Sequence, residues 1–201
     1  MRSKQLVILS VFCLLLVLAS CGKPDASEIA EVIGTDKMTT STYYGSYIIN
    51  ENDINEIASY SNYIFVGRVE DYIKTEYISD DDELPPVTYY SVGVLKNIKG
   101  ELTTDENVVL TKSGGIKKDG KTFAVEVNDI LPALGNTYVF AATLYNDELY
   151  CFCPNMVALI EESSDIEESS LYKKYTEAAD SKLEDIEPVE GISRFDVSEK
   201  N

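Results

Sequence analysis

Histidine and tryptophan are absent from the 201-residue chain, and 17 basic residues stand against 35 acidic ones. Without histidine there is no imidazole general base, no histidine-containing nucleophilic triad and none of the commonest zinc ligand. The acidic excess, a formal net charge of −18, repels phosphate backbones and anionic headgroups, which disfavours nucleic-acid binding and adsorption to acidic lipid. No internal repeat is visible. The only long apolar run, Leu6 to Leu18 with Ser10 inside it, falls short of the roughly 18 residues that cross a bilayer as a helix.

That run follows Arg2 and Lys4 and is followed by the small residues Ala19 and Ser20. Charged, apolar and small-residue zones in this order are the layout of a secretory signal peptide over residues 1–20. Leu18-Ala19-Ser20-Cys21 resembles the lipobox of bacterial lipoproteins. The resemblance implies cleavage between Ser20 and Cys21, a diacylglycerol on the Cys21 thiol, and attachment to a membrane on the extracytoplasmic side of a bacterial cell envelope. Each buried methylene of such a chain contributes about 0.8 kcal/mol, so two long acyl chains anchor stably where one is marginal. An ordinary signal peptide whose cleavage site adjoins a cysteine is the bland alternative.

Residues 21–40, after the lipid acceptor itself, read as a flexible tether of small, polar and charged residues. Loss of residues 1–20, which hold two basic and no acidic residues, takes the formal charge from −18 to −20. What remains suffices for one domain with a real core, expected over 41–160, followed by an acidic helix and loosely ordered tail over 161–201. Fourteen tyrosines against six phenylalanines suit strands whose rings are apolar in body and wet at the tip.

NDINEIASYS (52–61) offers Asn52 or Asp53 as N-cap, with Ile54, Ile57 and Ala58 at helical spacing. It predicts a short helix before the first strand. NYIFVGRVEDY (62–72) predicts a strand that starts deep and ends wet, with Gly67 at a bend or close approach. After a solvated loop over 73–86, VTYYSVGVLKNIKGE (87–101) alternates to a Lys-Gly turn, and ENVVLTK (106–112) ends at Gly114-Gly115. KTFAVEV (121–127) is expected as a fourth strand burying Phe123, Val125 and Val127 and exposing Thr122, Ala124 and Glu126. NTYVFAATLY (136–145), the turn Asn146-Asp147 and ELYCFC (148–153) form a hairpin, and MVALI (156–160) adds a short strand. With no helices between the strands, the expected fold is mainly β: a five- to six-stranded antiparallel barrel.

The order helix, SNYIFVGRVE, YYSVGVLKNIKGE, Gly-Gly turn, LGNTYVF resembles secreted bacterial domains related to the netrin module and the tissue inhibitors of metalloproteinases, which are OB-like barrels. The resemblance covers about residues 52–160 and implies an OB-like barrel with an interaction role. The animal inhibitors begin with a disulfide-bound cysteine that enters a protease site. Here the corresponding terminus resembles a lipid acceptor followed by a tether, so no inhibitory residue carries over.

Four features could carry chemistry. Cys151 and Cys153 flank Phe152 on a strand, which sets their α carbons about 6.6 Å apart on one face, near the upper limit for a disulfide. Buried thiols behaving as small hydrophobes, a redox pair, or ligands are the readings. Asp80, Asp81, Asp82 and Glu83 have oxygen ligands for calcium but lack its spaced loop pattern, which favours a solvated loop. The lysines of KNIKG and KSGGIKK either receive an anion or partner, or protect strand ends. Leu171, Tyr175, Ala179, Leu183 and Ile186 lie on one stripe of a C-terminal amphipathic helix stopped by Pro188, expected to pack across the barrel rather than present itself to a partner.

No catalytic residue, cofactor or metal set is identified. The sequence therefore points to a lipid-anchored extracytoplasmic protein that binds a protein, peptide or small ligand. An envelope enzyme using carboxylates or the Cys151/Cys153 thiols, or a structural subunit of an envelope complex, are the alternatives.

Overall fold

The computed structural model describes residues 38–79, 84–160, 165–181, 183 and 186–200. Among the described residues nine strands and two α-helices make a mainly β fold. Five strands close into a ring: β2 (Tyr63–Glu76), β3 (Val87–Lys99), β4 (Val108–Ser113), β8 (Glu148–Cys151) and β7 (Thr137–Tyr145), with β7 pairing back onto β2. A sixth, β9 (Val157–Leu159), extends the same sheet along β7. A separate three-stranded sheet is ordered β1 (Thr39–Tyr43), β6 (Thr122–Glu126), β5 (Gly115–Ile116).

Four register irregularities along the β2–β3 ladder bend β2 enough for its first half to serve both neighbours, since a bulge coils the strand that carries it. Gly67 lies within this bend. A Cβ there would stand 2.6 Å from Cγ1 of Val92 and 3.0 Å from the Phe65 ring, so the close approach expected at this glycine is present. The alternation read from β3 holds, burying Thr88, Tyr90, Val92 and Val94. At the β7–β8 hairpin, Asn146 and Asp147 both take positive φ, 51° and 62°, the backbone that a tight two-residue turn between twisted strands requires.

The buried core on the two faces of the ring includes Ile64, Phe65, Val66, Tyr90, Leu110, Phe140 and Leu149, with the Phe65 and Phe140 rings stacked at 5.3 Å. Helix α1 (Ile54–Tyr60) is capped by Asp53, whose carboxylate accepts from the Asn55 N–H. Its last carbonyls accept from Ser61 and from Lys99 Nζ, 2.7 Å from the Ala58 oxygen, so neither end buries orphan backbone groups. Helix α2 (Ser170–Asp180) buries Tyr175 and Ala178 against α1 and the ring, and Tyr175 donates to the Asn155 carbonyl at 2.6 Å. It packs across the strands, as its apolar stripe implies.

Several expectations are corrected. The sheets are not antiparallel throughout, because β8 joins β4 in parallel and β1 joins β6 in parallel. The helix before β2 is preceded by a strand, β1, whose pairing begins at Thr39 within the segment read as tether. β2 runs on through Glu76 into the segment read as a loop. KTFAVEV forms β6, outside the ring and with its faces reversed: Ala124 and Glu126 are buried while Phe123 and Val125 are half-buried. The reason is electrostatic as well as steric, since the Glu126 carboxylate accepts from the Gly45 N–H at 2.8 Å and from the Tyr47 hydroxyl.

The C-terminal helix stops at Asp180 rather than at Pro188, where Ser181 turns to extended backbone and its hydroxyl bonds the Glu177 carbonyl and the Asn55 side chain. Beyond Glu187 the chain is held, not loose. Thr103 donates to the Phe195 carbonyl, Tyr63 donates to Asp196 and accepts from the Ser193 N–H, and Ser193 and Phe195 are buried.

Substituting Gly67 by alanine should cost about 1–3 kcal/mol through overpacking against Val92, read as a lowered midpoint in denaturant unfolding with unchanged slope; wild-type stability would contradict the close approach.

Candidate functional site

Two places concentrate polar chemistry, an open groove on the ring and a closed cluster beneath the small sheet. The groove, of about 590 Å³, lies where the end of β2, the start of β3, and the β7–β8 turn converge. Its walls carry Tyr77, Tyr89, Tyr145 and Tyr150 with Glu76 and Glu148. Cross-strand register builds it: Lys74 faces Tyr89, Tyr89 faces Thr111, and Thr111 faces Tyr150, and directly paired residues share a sheet face. Strand alternation sends Tyr150 outward while Leu149 and Cys151 point in.

The groove is already shaped by cations. Lys74 Nζ stands 4.3 Å from the centre of the Tyr89 ring and 2.9 Å from Glu76. Lys118 lies 5.5 Å from the centre of the Tyr77 ring, and Arg194 pairs with Glu148 at 3.0 Å. Burial and a hydrogen bond to Glu76 push the Tyr89 hydroxyl up to about 12. Hydrogen bonds from Lys74 and then Tyr89 hold the exposed Glu76 carboxyl below its ordinary range. An aromatic face beside a carboxylate is an arrangement that receives an ammonium or guanidinium group. Tyr145 and Tyr77 are exposed, Tyr145 to 66%, while Tyr89 and Tyr150 are half-buried.

The closed cluster lies between β4, β8 and the segment following β6. Lys112, at the end of β4, pairs with Asp129, and both side chains are 0% exposed. Lys112 also donates to the Cys153 carbonyl at 3.2 Å. Asp129 is brought there by a tight turn in which its N–H bonds the Glu126 carbonyl and Asn128 takes a φ of 65°. Above lie the Glu126 contacts and Tyr43, whose buried hydroxyl has no hydrogen-bond partner among the described residues. Burial, then the charges of Glu126 and Asp129, push the Tyr43 hydroxyl well above the usual phenol range.

Cys151 and Cys153 are free and buried, the small-hydrophobe arrangement among the readings of the pair. Cys151 contacts the Ala141 and Met156 carbonyls at 3.4 and 3.8 Å. Burial pushes the Cys153 thiol up to about 12 and that of Cys151 up as well, so the thiolate that nucleophilic or redox chemistry requires is suppressed at neutral pH.

The lysines of the two basic segments do not assemble into one anion site. Lys96 pairs with Glu167, Lys99 caps α1, Lys112 is interior, and Lys118 donates to the Ser79 carbonyl. Leu18, Ala19, Ser20 and Cys21 lie outside the described residues, as do Asp80, Asp81, Asp82 and Glu83. Among the described residues no group of three or more acidic or thiol side chains is placed to hold a metal ion, and no helix is long and apolar enough to cross a membrane. Nothing local in the sequence marks Glu126, Asp129 or the joint role of the tyrosines; the tyrosine excess is the one signal toward the groove. Compared with known protein families and with curated proteins, the chain matches none.

A thiol-alkylating reagent should leave Cys151 and Cys153 unlabelled in the native protein and label both once it is unfolded, read by peptide mass spectrometry; rapid native labelling at either would contradict the closed geometry.

Proposed function

We propose that the protein is a lipid-anchored extracytoplasmic binding protein whose closed strand ring is an OB-like barrel presenting the tyrosine groove to a basic peptide. The barrel reading is supported by the ring order β2-β3-β4-β8-β7 with the parallel β4–β8 joint, and by the resemblance of residues 52–160 to netrin-related domains. In OB-type barrels, ligands are taken on the second and third strands and the loops joining strands one–two and four–five. The groove occupies those positions on this ring.

The observation that carries the ligand class is Lys74 held over Tyr89 by Glu76, an internal copy of the contact an incoming lysine or arginine would make. The acidic chain adds long-range attraction for a basic ligand. Tyrosine contributes contact area at small entropic cost, having few rotatable bonds. The anchor reading rests on Leu18-Ala19-Ser20-Cys21, with the acyl chains on Cys21 setting the protein at the membrane. No catalytic role is assigned to the groove.

Metabolic labelling with a fatty-acid analogue should mark the wild-type chain and place it in the membrane fraction, and Cys21→Ser should abolish both; label that persists on Cys21→Ser would sink the anchor.

A lysine-rich probe peptide should bind the full chain more tightly than a glutamate-rich peptide of equal length, and more weakly as salt is raised. Tyr145→Ala, which removes the most exposed ring of the groove, should loosen it about two- to fivefold, the worth of one exposed cation–π contact. Equal binding of the two peptides, measured by calorimetry, would overturn the ligand class.

A further inference from the structure

The contact between Lys112 and Asp129 joins the end of β4 to the segment after β6 at a point sealed from solvent, each side chain being 0% exposed. An amine and a carboxyl held together in this way have two states. As ammonium and carboxylate they keep charges whose desolvation is costly. One proton passed across the contact turns them into a neutral amine beside a neutral carboxylic acid, a nucleophile against an electrophile.

Two contacts orient the pair for attack. Lys112 Nζ is steered by the Cys153 carbonyl at 3.2 Å, an acceptor that orients the amine through one N–H. Asp129 Oδ1 accepts from the Ile130 N–H at 2.8 Å, placing a donor where negative charge develops if Cγ becomes tetrahedral. Oδ2, the oxygen facing Lys112, is then the one free to leave.

We propose that Lys112 and Asp129 condense into an intramolecular isopeptide bond. Nζ of the neutral amine attacks Cγ of the neutral acid, the Nζ–Cγ bond forms and the Cγ–Oδ2 bond breaks. Oδ2 departs as water, carrying the acid's own proton and one from the amine. Nothing is oxidised or reduced and no co-reactant enters. A dry site favours this direction, since hydrolysis needs the water that the reaction expels.

The link would join the end of β4 to the segment after β6, residues 17 apart in sequence. It would act as a disulfide does, by restricting the unfolded chain, in a protein whose described cysteines are unpaired. This reading is independent of the groove and of the anchor.

The test is mass spectrometry of the purified full chain, denatured and digested. The expected product is a peptide containing Lys112 joined to one containing Asp129, lighter than their sum by one water. Two separate peptides of unmodified mass in the wild-type protein would overturn the proposal, whatever any variant does. Lys112→Arg, which keeps the charge and removes the primary amine, should release the two peptides; a joined product persisting in it would overturn the assignment to Lys112. The peptide-level readout is unaffected by lipid on Cys21.

Discussion

The ring closes through three residue pairs, Leu110 with Leu149, Thr111 with Tyr150 and Lys112 with Cys151. Every other feature of the molecule hangs on this short parallel joint. β7 and β8 form a hairpin that pairs with β2 through β7; without the β4–β8 joint the sheet would stay open and expose edges on both β4 and β8. Closure buries Leu110 and Leu149 completely and turns a sheet into an enclosed core. A parallel joint is slightly weaker per residue than an antiparallel one. Here it is reinforced by the Thr111 hydroxyl donating to the Leu149 carbonyl at 3.0 Å and by Ser113 and Tyr150 sharing a hydrogen bond at 2.7 Å.

The small sheet solves the problem that closure creates. Lys112 emerges at the end of β4 facing inward, and an interior ammonium without a partner is among the most destabilising groups a fold can hold. The segment between β4 and β7 folds back to bring Asp129 onto it, while β1 pairs with β6 and brings Tyr43, Gly45 and Tyr47 over the same region. Truncating one member of such a cluster leaves the other's polar group buried and unsatisfied, which costs more than the pair contributes when intact. The small sheet is thus tied to the ring by buried polar contacts of side chains, where the ring adds an apolar core to its backbone ladders.

Elements whose neighbours are local were legible in the sequence. β2, β3, β4, the β7–β8 hairpin, β9 and α1 follow from alternation, caps and the Asn146-Asp147 turn, all of which act within a few residues. The pairing of Thr39 with Thr122 leaves no local trace, so from sequence β1 resembles tether and β6 a ring strand. Alternation in KTFAVEV shows two faces without showing which is covered, and apolar content pointed to the wrong one because Glu126 is held by Tyr47 and Gly45. The tyrosine excess announced wet-tipped rings. Convergence of Tyr77, Tyr89, Tyr145 and Tyr150 on one groove depends on the closed register, which no single segment contains.

β8 is where the two chemistries meet. Successive residues of a strand face opposite sides, so Tyr150 stands in the groove while Cys151 points into the core beside the interior cluster. A groove walled by rings recognises a ligand well only if those rings do not have to be ordered on binding, since each immobilised side chain subtracts from affinity. Tyr150 is fixed from below by the β4 and β7 ladders and at its tip by Ser113. Lys112, which faces Cys151 across the joint, ties the same end of β4 to Asp129. Rigidity supplied by the buried cluster therefore reaches the tyrosine groove through one strand, whether Lys112 and Asp129 stand as an ion pair or as the proposed link.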